Sequence, residues 1–336
     1  MNKIAQHNAY ITKLKASIPS FGELEGKAKF LAHRRLGIGG SDVAAIMGIN
    51  KYKTSYAVWL EKTGREDPQE ETKSMYFGKV LENVVADEYA RVTGNAVHRV
   101  NQPITCKLKP WLTANLDRRV VGEKKVLECK TANPFAFKAE QWGKGNQYLN
   151  IEPQTVITCD AVPDAYLLQC QHYLTVTGYL EADLAVLIGG NDFRIYTIKH
   201  NTMLSDIVCE RLTDFWFNHV IADIPPTPET LLEVDEFYGG NDNGQSITAT
   251  PAVMQAIHER KKAIHVKKQA EALIHEQETT IKLHMGENQL LIDDSGKKLA
   301  SWKTQVSNRF NTAEFRNIHP ELANQFTRSV ESRIFR

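Results

Sequence analysis

The sequence carries none of the marks of an exported, zinc-stapled or membrane-spanning chain. Its five cysteines (Cys106, Cys129, Cys159, Cys170 and Cys209) form no Cys-x-x-Cys pair, and an odd number cannot all pair internally. A disulfide framework and a thiolate zinc site are therefore excluded, and a reducing cytoplasm fits. The opening MNKIAQHNAYITKLK lacks an apolar h-region. No apolar run approaches the ~18 residues of a membrane span, so neither export nor insertion is expected.

An excess of either charge is missing too. The 41 Lys+Arg nearly cancel the 40 Asp+Glu, leaving +1, whereas nucleic-acid-binding domains are often strongly basic. The balance conceals clusters. His33-Arg34-Arg35, Arg118-Arg119, Lys124-Lys125 and Lys261-Lys262 through Lys267-Lys268 are basic, and Glu66-Asp67 through Glu70-Glu71 is acidic. A chain that collects carboxylates for metal ions would show such a cancelled total, so charge leaves a nucleic-acid partner open.

What is present is ordinary globular material, 42% apolar and 24% charged, enough for a sizeable core. Residues 1–235 read as the main domain, 236–249 as a linker and 250–336 as a helical and hairpin extension. After a helical lead-in to about Phe30, Gly37 to Asp42 is a glycine-rich turn. It enters a short helix, Val43 to Met47, with Ser41 or Asp42 as N-cap. Helices are expected from Ser55 to Thr63 and from Gly78 to Thr93, each closed by a glycine. Strand patterns cover Ala96 to Thr105, Leu112 to Val121 and Lys125 to Thr131. The aromatic segment Asn133 to Pro153 reads as a loop with a helix in it. Pro163 opens and Gly178 closes another helix. Strands at Ala182 to Ile188 and Asp192 to Lys199 follow, then a helix from Leu204 to Val220. Glu236 to Gln245 is polar and glycine-rich. Beyond it Thr250-Pro251 starts a helix to about Met285, spanning ~50 Å, with Ile257, Ile264, Ile274 and Ile281 at near-heptad spacing. Two strands around Asp293 to Gly296 and a final helix complete the chain.

The strongest chemical signal is a hairpin. Gly122-Glu123 suits a two-residue turn with glycine at the first central position, which pairs Val121 with Lys124. Four residues further along each strand, Asp117 then faces Glu128, with Cβ atoms ~5 Å apart. Lys130 projects from the same face as Glu128. Two carboxylates so placed repel each other, and a divalent cation removes the repulsion. Hard oxygen ligands without His or Cys favour Mg²⁺ or Mn²⁺ over zinc. Lys130 offers a compact positive charge to a reacting phosphate. A plainer reading places both carboxylates on an exposed face, paired with Arg118, Arg119 or Lys125, and the hairpin alone does not choose.

Other candidates are similarly two-sided. Phe77, Leu81, Val84, Val85 and Tyr89 form one helical stripe with Glu82 at its edge, and Glu88 lies deeper in it, so periodicity does not prefer Glu82. The loop from Arg35 to Ser41 has the makings of an anion site, with glycine N–H groups, a hydroxyl and a helix N-terminus, and Arg35 as clamp. Simple capping explains it as well. Tyr166, Gln169 and Tyr173 share a helix face that suits either a nucleic-acid groove or a half-buried core. His172 and Trp216 read as packed residues.

Taken in order, these pieces resemble the YqaJ-like viral recombinase family, relatives of lambda exonuclease within the restriction-endonuclease-like superfamily. The matching residues are Arg34-Arg35-Leu-Gly-Ile-Gly-Gly-Ser41-Asp42, Trp59-Leu60-Glu61-Lys62-Thr63-Gly64, Phe77-Gly78-Lys79-Val80-Leu81-Glu82, Asn115-Leu116-Asp117, Glu128-Cys129-Lys130 and Tyr166-Leu-Leu-Gln169-Cys-Gln171-His172-Tyr173. They run from about Ala32 to Pro226. The resemblance implies an α/β fold of the restriction-endonuclease-like kind, a central mixed sheet flanked by helices, with a C-terminal helix-plus-hairpin extension. It implies a Mg²⁺-dependent exonuclease, with Mn²⁺ as substitute, that degrades one strand of linear double-stranded DNA from its 5′ end. Asp117 and Glu128 would hold the metals with Glu82 and the Cys129 carbonyl, and Lys130 would assist the attacking water. Arg35, Ser41 and Gln169 would grip a 5′ phosphate, with Tyr166 and Gln171 beside the DNA. It further implies double-stranded DNA ends as substrate, a trimeric ring, a single-strand annealing protein as partner, and a cytoplasmic, bacterial or phage setting. The chain departs from the family where Leu116 replaces a frequent Pro before the aspartate, and Phe30 a frequent Trp before the arginine. An endonuclease with the same core, or a non-catalytic DNA-binding protein, are the rival expectations.

Overall fold

Along the strand Lys125–Ala132 successive side chains point to opposite sides, and the two sides meet different helices. The computed structural model describes residues 2–66, 72–134, 142–143, 145, 147–148, 156–158, 162–239, 242–328 and 333–335. Most of the segment expected as a loop with a helix after Asn133, and Cys159, lie outside those residues.

Five helices lead the chain: α1 (Lys3–Ser17), α2 (Gly26–Arg34), α3 (Gly40–Ile46), α4 (Ser55–Thr63) and α5 (Lys73–Thr93). Strands β1 (Val97–Arg99), β2 (Ile104–Thr105), β3 (Thr113–Ala114), β4 (Arg118–Val120) and β5 (Lys125–Ala132) follow. After the short β6 (Gln147–Tyr148) and β7 (Val156–Thr158) come α6 (Asp164–Thr177), β8 (Glu181–Ile188), β9 (Asp192–Lys199) and α7 (Thr202–Phe215). A π-helical stretch, Trp216–Ile221, and α8 (Leu231–Tyr238) end this part.

The main sheet has the order β1-β4-β5-β8-β9. Only β5 and β8 in it are parallel, which requires a crossover, and α6 lies in that connection. Val126 of β5 and Ala182, Leu184 and Val186 of β8 enter one core with residues of α3, α4, α6 and α7. Leu127 and Cys129 enter a second core with Val85, Ala86 and Tyr89 of α5. Helices therefore flank both faces, as the resemblance implied. Because β8 is covered on both sides, its sequence is a near-continuous apolar run.

The hairpin register matches the expectation: Arg118 pairs with Leu127 and Arg119 with Val126, which sets Asp117 opposite Glu128. The turn itself sits one residue earlier than expected. Glu123 N–H donates to the Val120 carbonyl, and Gly122, at φ 79°, takes the second central position, where a positive φ is needed. Two long strand expectations break up. Val97–Arg99 pairs with β4, whereas Ile104–Thr105 pairs with β3 in a separate two-stranded sheet. Pro103 lies between the two halves, and proline cannot donate to a ladder.

The chain divides into two compact units, Met1–Val234 and Asp235–Arg336. Helix α8 extends to Tyr238, so the first residues of the expected linker are helical. The second unit holds α9 (Pro251–Met285), a hairpin of β10 (Leu290–Ile292) with β11 (Lys298–Ser301), then α10 (Thr312–Ile318) and α11 (Pro320–Gln325). The expected final helix is thus two short ones, divided at Pro320.

One glycine fixes how closely α3 approaches α6. A Cβ on Gly40 would lie 2.5 Å from Cε1 of Tyr173 and 3.1 Å from Cγ of Gln169. Gly40→Ala is expected to destabilise the first unit by roughly 1–3 kcal/mol through overpacking, read by urea denaturation. An unchanged midpoint would mean that the contact relaxes freely.

Candidate active site

Asp117 sits just ahead of β4, following the buried Leu116. One of its oxygens, Oδ2, accepts the Cys129 backbone N–H at 2.9 Å, across the hairpin. Glu128 is only 2% exposed. Its Oε1 receives Gln169 Nε2 at 2.6 Å and Lys130 Nζ at 2.6 Å, and its Oε2 is buried with no hydrogen-bond partner. Burial first, and the neighbouring Glu128 charge second, push the Asp117 carboxyl up to about 8. Burial alone would lower Lys130, but Glu128 and Asp117 hold it above its ordinary value, so it is an ammonium. The Cys129 thiol points into the α5 core, where burial raises it further, and Cys129 reaches the site through its backbone.

Glu82 lies on the α5 side. Phe77 and Val84 are 55% and 50% exposed, so the buried stripe is shifted from the one expected. It runs through Val85, Ala86 and Tyr89, which are three, four and seven residues beyond Glu82, and Glu82 therefore shares the inward face. Its Oε1 accepts Arg118 Nη1 at 2.6 Å, while Arg118 also donates to the Asp117 carbonyl at 2.7 Å. Glu88, the competing glutamate, is instead paired with Arg91 at the surface. Among the described residues, no three His, Cys, Asp or Glu side chains stand close enough together to hold a metal ion.

The glycine loop is strapped to β3: Ile38 N–H donates to the Trp111 carbonyl at 2.8 Å and Thr113 N–H to the Ile38 carbonyl at 2.9 Å. Gly39, not Ser41 or Asp42, precedes α3, and Asp42 reaches back to the Gly39 N–H at 3.0 Å. The arginine beside Ser41 is Arg34, which donates to its hydroxyl at 3.2 Å. Arg35, expected as the clamp, is spent on the Lys62 and Thr63 carbonyls at the end of α4. The reason is the helix end: unsatisfied carbonyls there attract a guanidinium.

Behind the loop is a buried charge network that the sequence reading missed. Lys62, 1% exposed, lies 2.6 Å from Asp42 Oδ2 and donates to the Arg34 carbonyl at 2.8 Å. Arg34 binds Asp42 Oδ1 at 2.9 Å and Glu61 at 2.7 Å, and Lys53 pairs with Glu61. Burial opposes ionisation of Asp42, but Lys62, Arg34 and Lys53 overcome it and hold the carboxyl far below its ordinary range. Three cations against two carboxylates leave one positive charge beside Ser41, which suits an anion. The Glu-Lys-Thr-Gly string was in view, yet nothing in it showed that Lys62 is buried.

The remaining candidates divide. Both amide hydrogens of Gln169 are committed, to Glu128 Oε1 at 2.6 Å and to the Tyr173 hydroxyl at 2.8 Å, so it ties the carboxylate to the loop's packing partner. Tyr166 lies beside Lys130, whose Nζ is 5.7 Å from the ring centroid. Gln171 is 2% exposed and bridges the Lys199 carbonyl to Asn201 N–H, so it faces the fold rather than a groove. His172 is packed against the Thr113 carbonyl at 2.8 Å and Trp216 is buried, as expected.

The donor set fits a hard divalent cation. A half-buried and a buried carboxyl group face each other, one oxygen lacks any partner among the described residues, and Lys130 compensates only part of the charge of the ionised pair. Asp117 and Glu128 would hold the ion; Glu82 would have to release Arg118 to join them.

A mixed sheet clasped by helices thus carries a facing carboxyl pair on one hairpin, with a glycine loop alongside. The YqaJ-like viral recombinase domain profile matches residues 29–180. The protein YqaJ of Bacillus subtilis (strain 168), described as uncharacterized, is 30% identical over 336 residues, 97% of this chain and 98% of its own. The chain belongs to the YqaJ-like viral recombinase family. Among solved structures it is similar to an alkaline exonuclease from Laribacter hongkongensis, at 18% identity and TM-score 0.44, covering 58% of this chain and 93% of that one. It is also similar to a phage-related exonuclease from Haemophilus somnus 129PT, at 14% identity and TM-score 0.41, covering 56% and 96%.

Two measurements test this geometry. A carboxyl raised from 3.8 to about 8 favours the fold below pH ~4 and loses that contribution as pH rises through about 8. Asp117→Asn should therefore stabilise the metal-free protein at pH ~9 by on the order of a few kcal/mol, read as a raised thermal midpoint, and not at pH ~4. Lys62→Met leaves the buried Asp42 short of a partner and should cost roughly 3–5 kcal/mol in denaturant unfolding. A near-wild-type midpoint would show that Lys53 and Arg34 suffice.

Proposed function

We propose that the chain is a metal-dependent deoxyribonuclease acting on the ends of linear double-stranded DNA. The observation that carries the reading is the facing pair of half-buried Asp117 and buried Glu128, with Glu128 Oε2 unpartnered among the described residues and the Lys130 ammonium at 2.6 Å from Oε1. A purely structural carboxylate pair has no use for that arrangement, which destabilises the metal-free protein. Family membership supports the same conclusion.

Magnesium, or manganese in its place, supplies neutralisation of the phosphate and a more acidic bound water when held there. The protein's own residues do the rest. The Cys129 N–H orients the Asp117 carboxyl across the hairpin through Oδ2, and the Gln169 amide holds the Glu128 carboxylate through Oε1. Lys130 remains protonated, so it contributes charge to the reacting phosphate rather than taking a proton. The exposed Ser41 hydroxyl and the Arg34 guanidinium accept a terminal 5′ phosphate, which sets the direction of digestion as 5′ to 3′. The products are nucleotides and a 3′ single strand suited to an annealing protein, and a ring of three copies would retain the duplex.

Asp117→Ala and Glu128→Ala are each expected to lower nucleotide release from end-labelled linear duplex by at least ~10³-fold while DNA binding persists. Undiminished release from either variant sinks the assignment. Comparing 5′-phosphate with 5′-hydroxyl ends, Arg34→Ala with Ser41→Ala should abolish the preference, whereas Arg35→Ala should keep it and lower stability. Cleavage of closed circular DNA would instead make the protein an endonuclease.

A further inference from the structure

In the second unit, α9 (Pro251–Met285) presents Ile257, Ile264, Ile274 and Ile281 with 39%, 49%, 57% and 41% of their surfaces exposed. These isoleucines belong to one seam of alternating three- and four-residue steps: Ile257, Arg260, Ile264, Lys267, Glu271, Ile274, Glu278, Ile281. That is the a/d pattern of a coiled coil, with charges at half its positions. The charges are sorted by sign. Arg260 and Lys267 occupy the first half of the seam, Glu271 and Glu278 the second.

The sorting selects one kind of partner. A parallel, in-register pair sets Arg260, Lys267, Glu271 and Glu278 each against its own copy, four like-charge layers that oppose association. Reversal about Gln269 gives a different result. Ile257 then meets Ile281, Ile264 meets Ile274, Arg260 meets Glu278 and Lys267 meets Glu271, since the members of each pair are equidistant from Gln269. Every layer is apolar with apolar or cation with anion. The side chains are accessible: Lys267 and Glu271 are 75% and 62% exposed, 3.6 Å apart along the helix, and Arg260 stacks at 4.9 Å on Phe335, itself exposed.

We propose that α9 pairs antiparallel with α9 of a second copy of this chain, with the two-fold at Gln269. The pairing does not depend on the nuclease reading. It associates copies through the second unit whatever the first unit does.

Sedimentation velocity on the full chain tests it with wild type and four variants. Arg260→Glu with Lys267→Glu makes the ionic layers all acidic, and Glu271→Lys with Glu278→Lys makes them all basic. Each double variant should halve the assembly mass of wild type. An equimolar mixture of the two, and one chain carrying all four changes, should restore it. Ile264→Asn with Ile274→Asn leaves every charge in place and should also halve the mass. Equal masses for wild type and the first double variant overturn the proposal, as does a mixture that fails to recover. Loss of DNA binding by the first double variant at unchanged mass would assign the basic half to nucleic acid instead.

Discussion

Two carboxyl groups, Glu128 buried and Asp117 half-buried, are set side by side, and the first unit is arranged around their mutual repulsion. The β4–β5 register places Asp117 against Glu128, and the surrounding groups answer only part of the charge. Lys130 and Gln169 both address Oε1 of Glu128, a backbone N–H addresses Asp117, and one oxygen is left over. Hydrophobic residues of similar volume would be more stable there. The protein retains instead a carboxyl pair in which burial and the Glu128 charge push Asp117 up to about 8.

The glycine-loop side is held by the opposite strategy. Asp42 is as buried as Glu128, yet Lys62, Arg34 and Lys53 satisfy it fully. That network carries the glycine loop on α4, and Gly40 lets the loop lie flat against Tyr173 and Gln169 of α6. Gln169 in turn grips Glu128. A chain of contacts thus joins the glycine loop to the Glu128 carboxylate. Positions on such elements can hold a reacting group far more closely than a mobile loop would.

The second unit works by surface pattern rather than burial. Its long helix exposes a seam whose apolar layers supply attraction and whose ionic layers supply direction. Charges at seam positions weaken a coiled coil but reject the wrong register.

Short-range features were legible in the residues alone. A glycine two residues past Val120 fixes the hairpin register, because strand pairing propagates from the turn. Glycines 64, 94 and 178 end helices where they do because a left-handed cap needs no Cβ. The charge order along α9 is likewise a property of the sequence. Only the tertiary structure decided what each of two neighbours touches, although the family resemblance already favours Glu82 over Glu88. Periodicity put Glu88 inside the stripe, and packing turned the helix so that Glu82 faces Arg118. The doublet Arg34-Arg35 was divided by partners 27 residues or more away on α4. Gln169 and Gln171 were separated by which strand each side of α6 meets. A repeat in sequence assigns a side chain to a face; what that face touches is set by segments far along the chain.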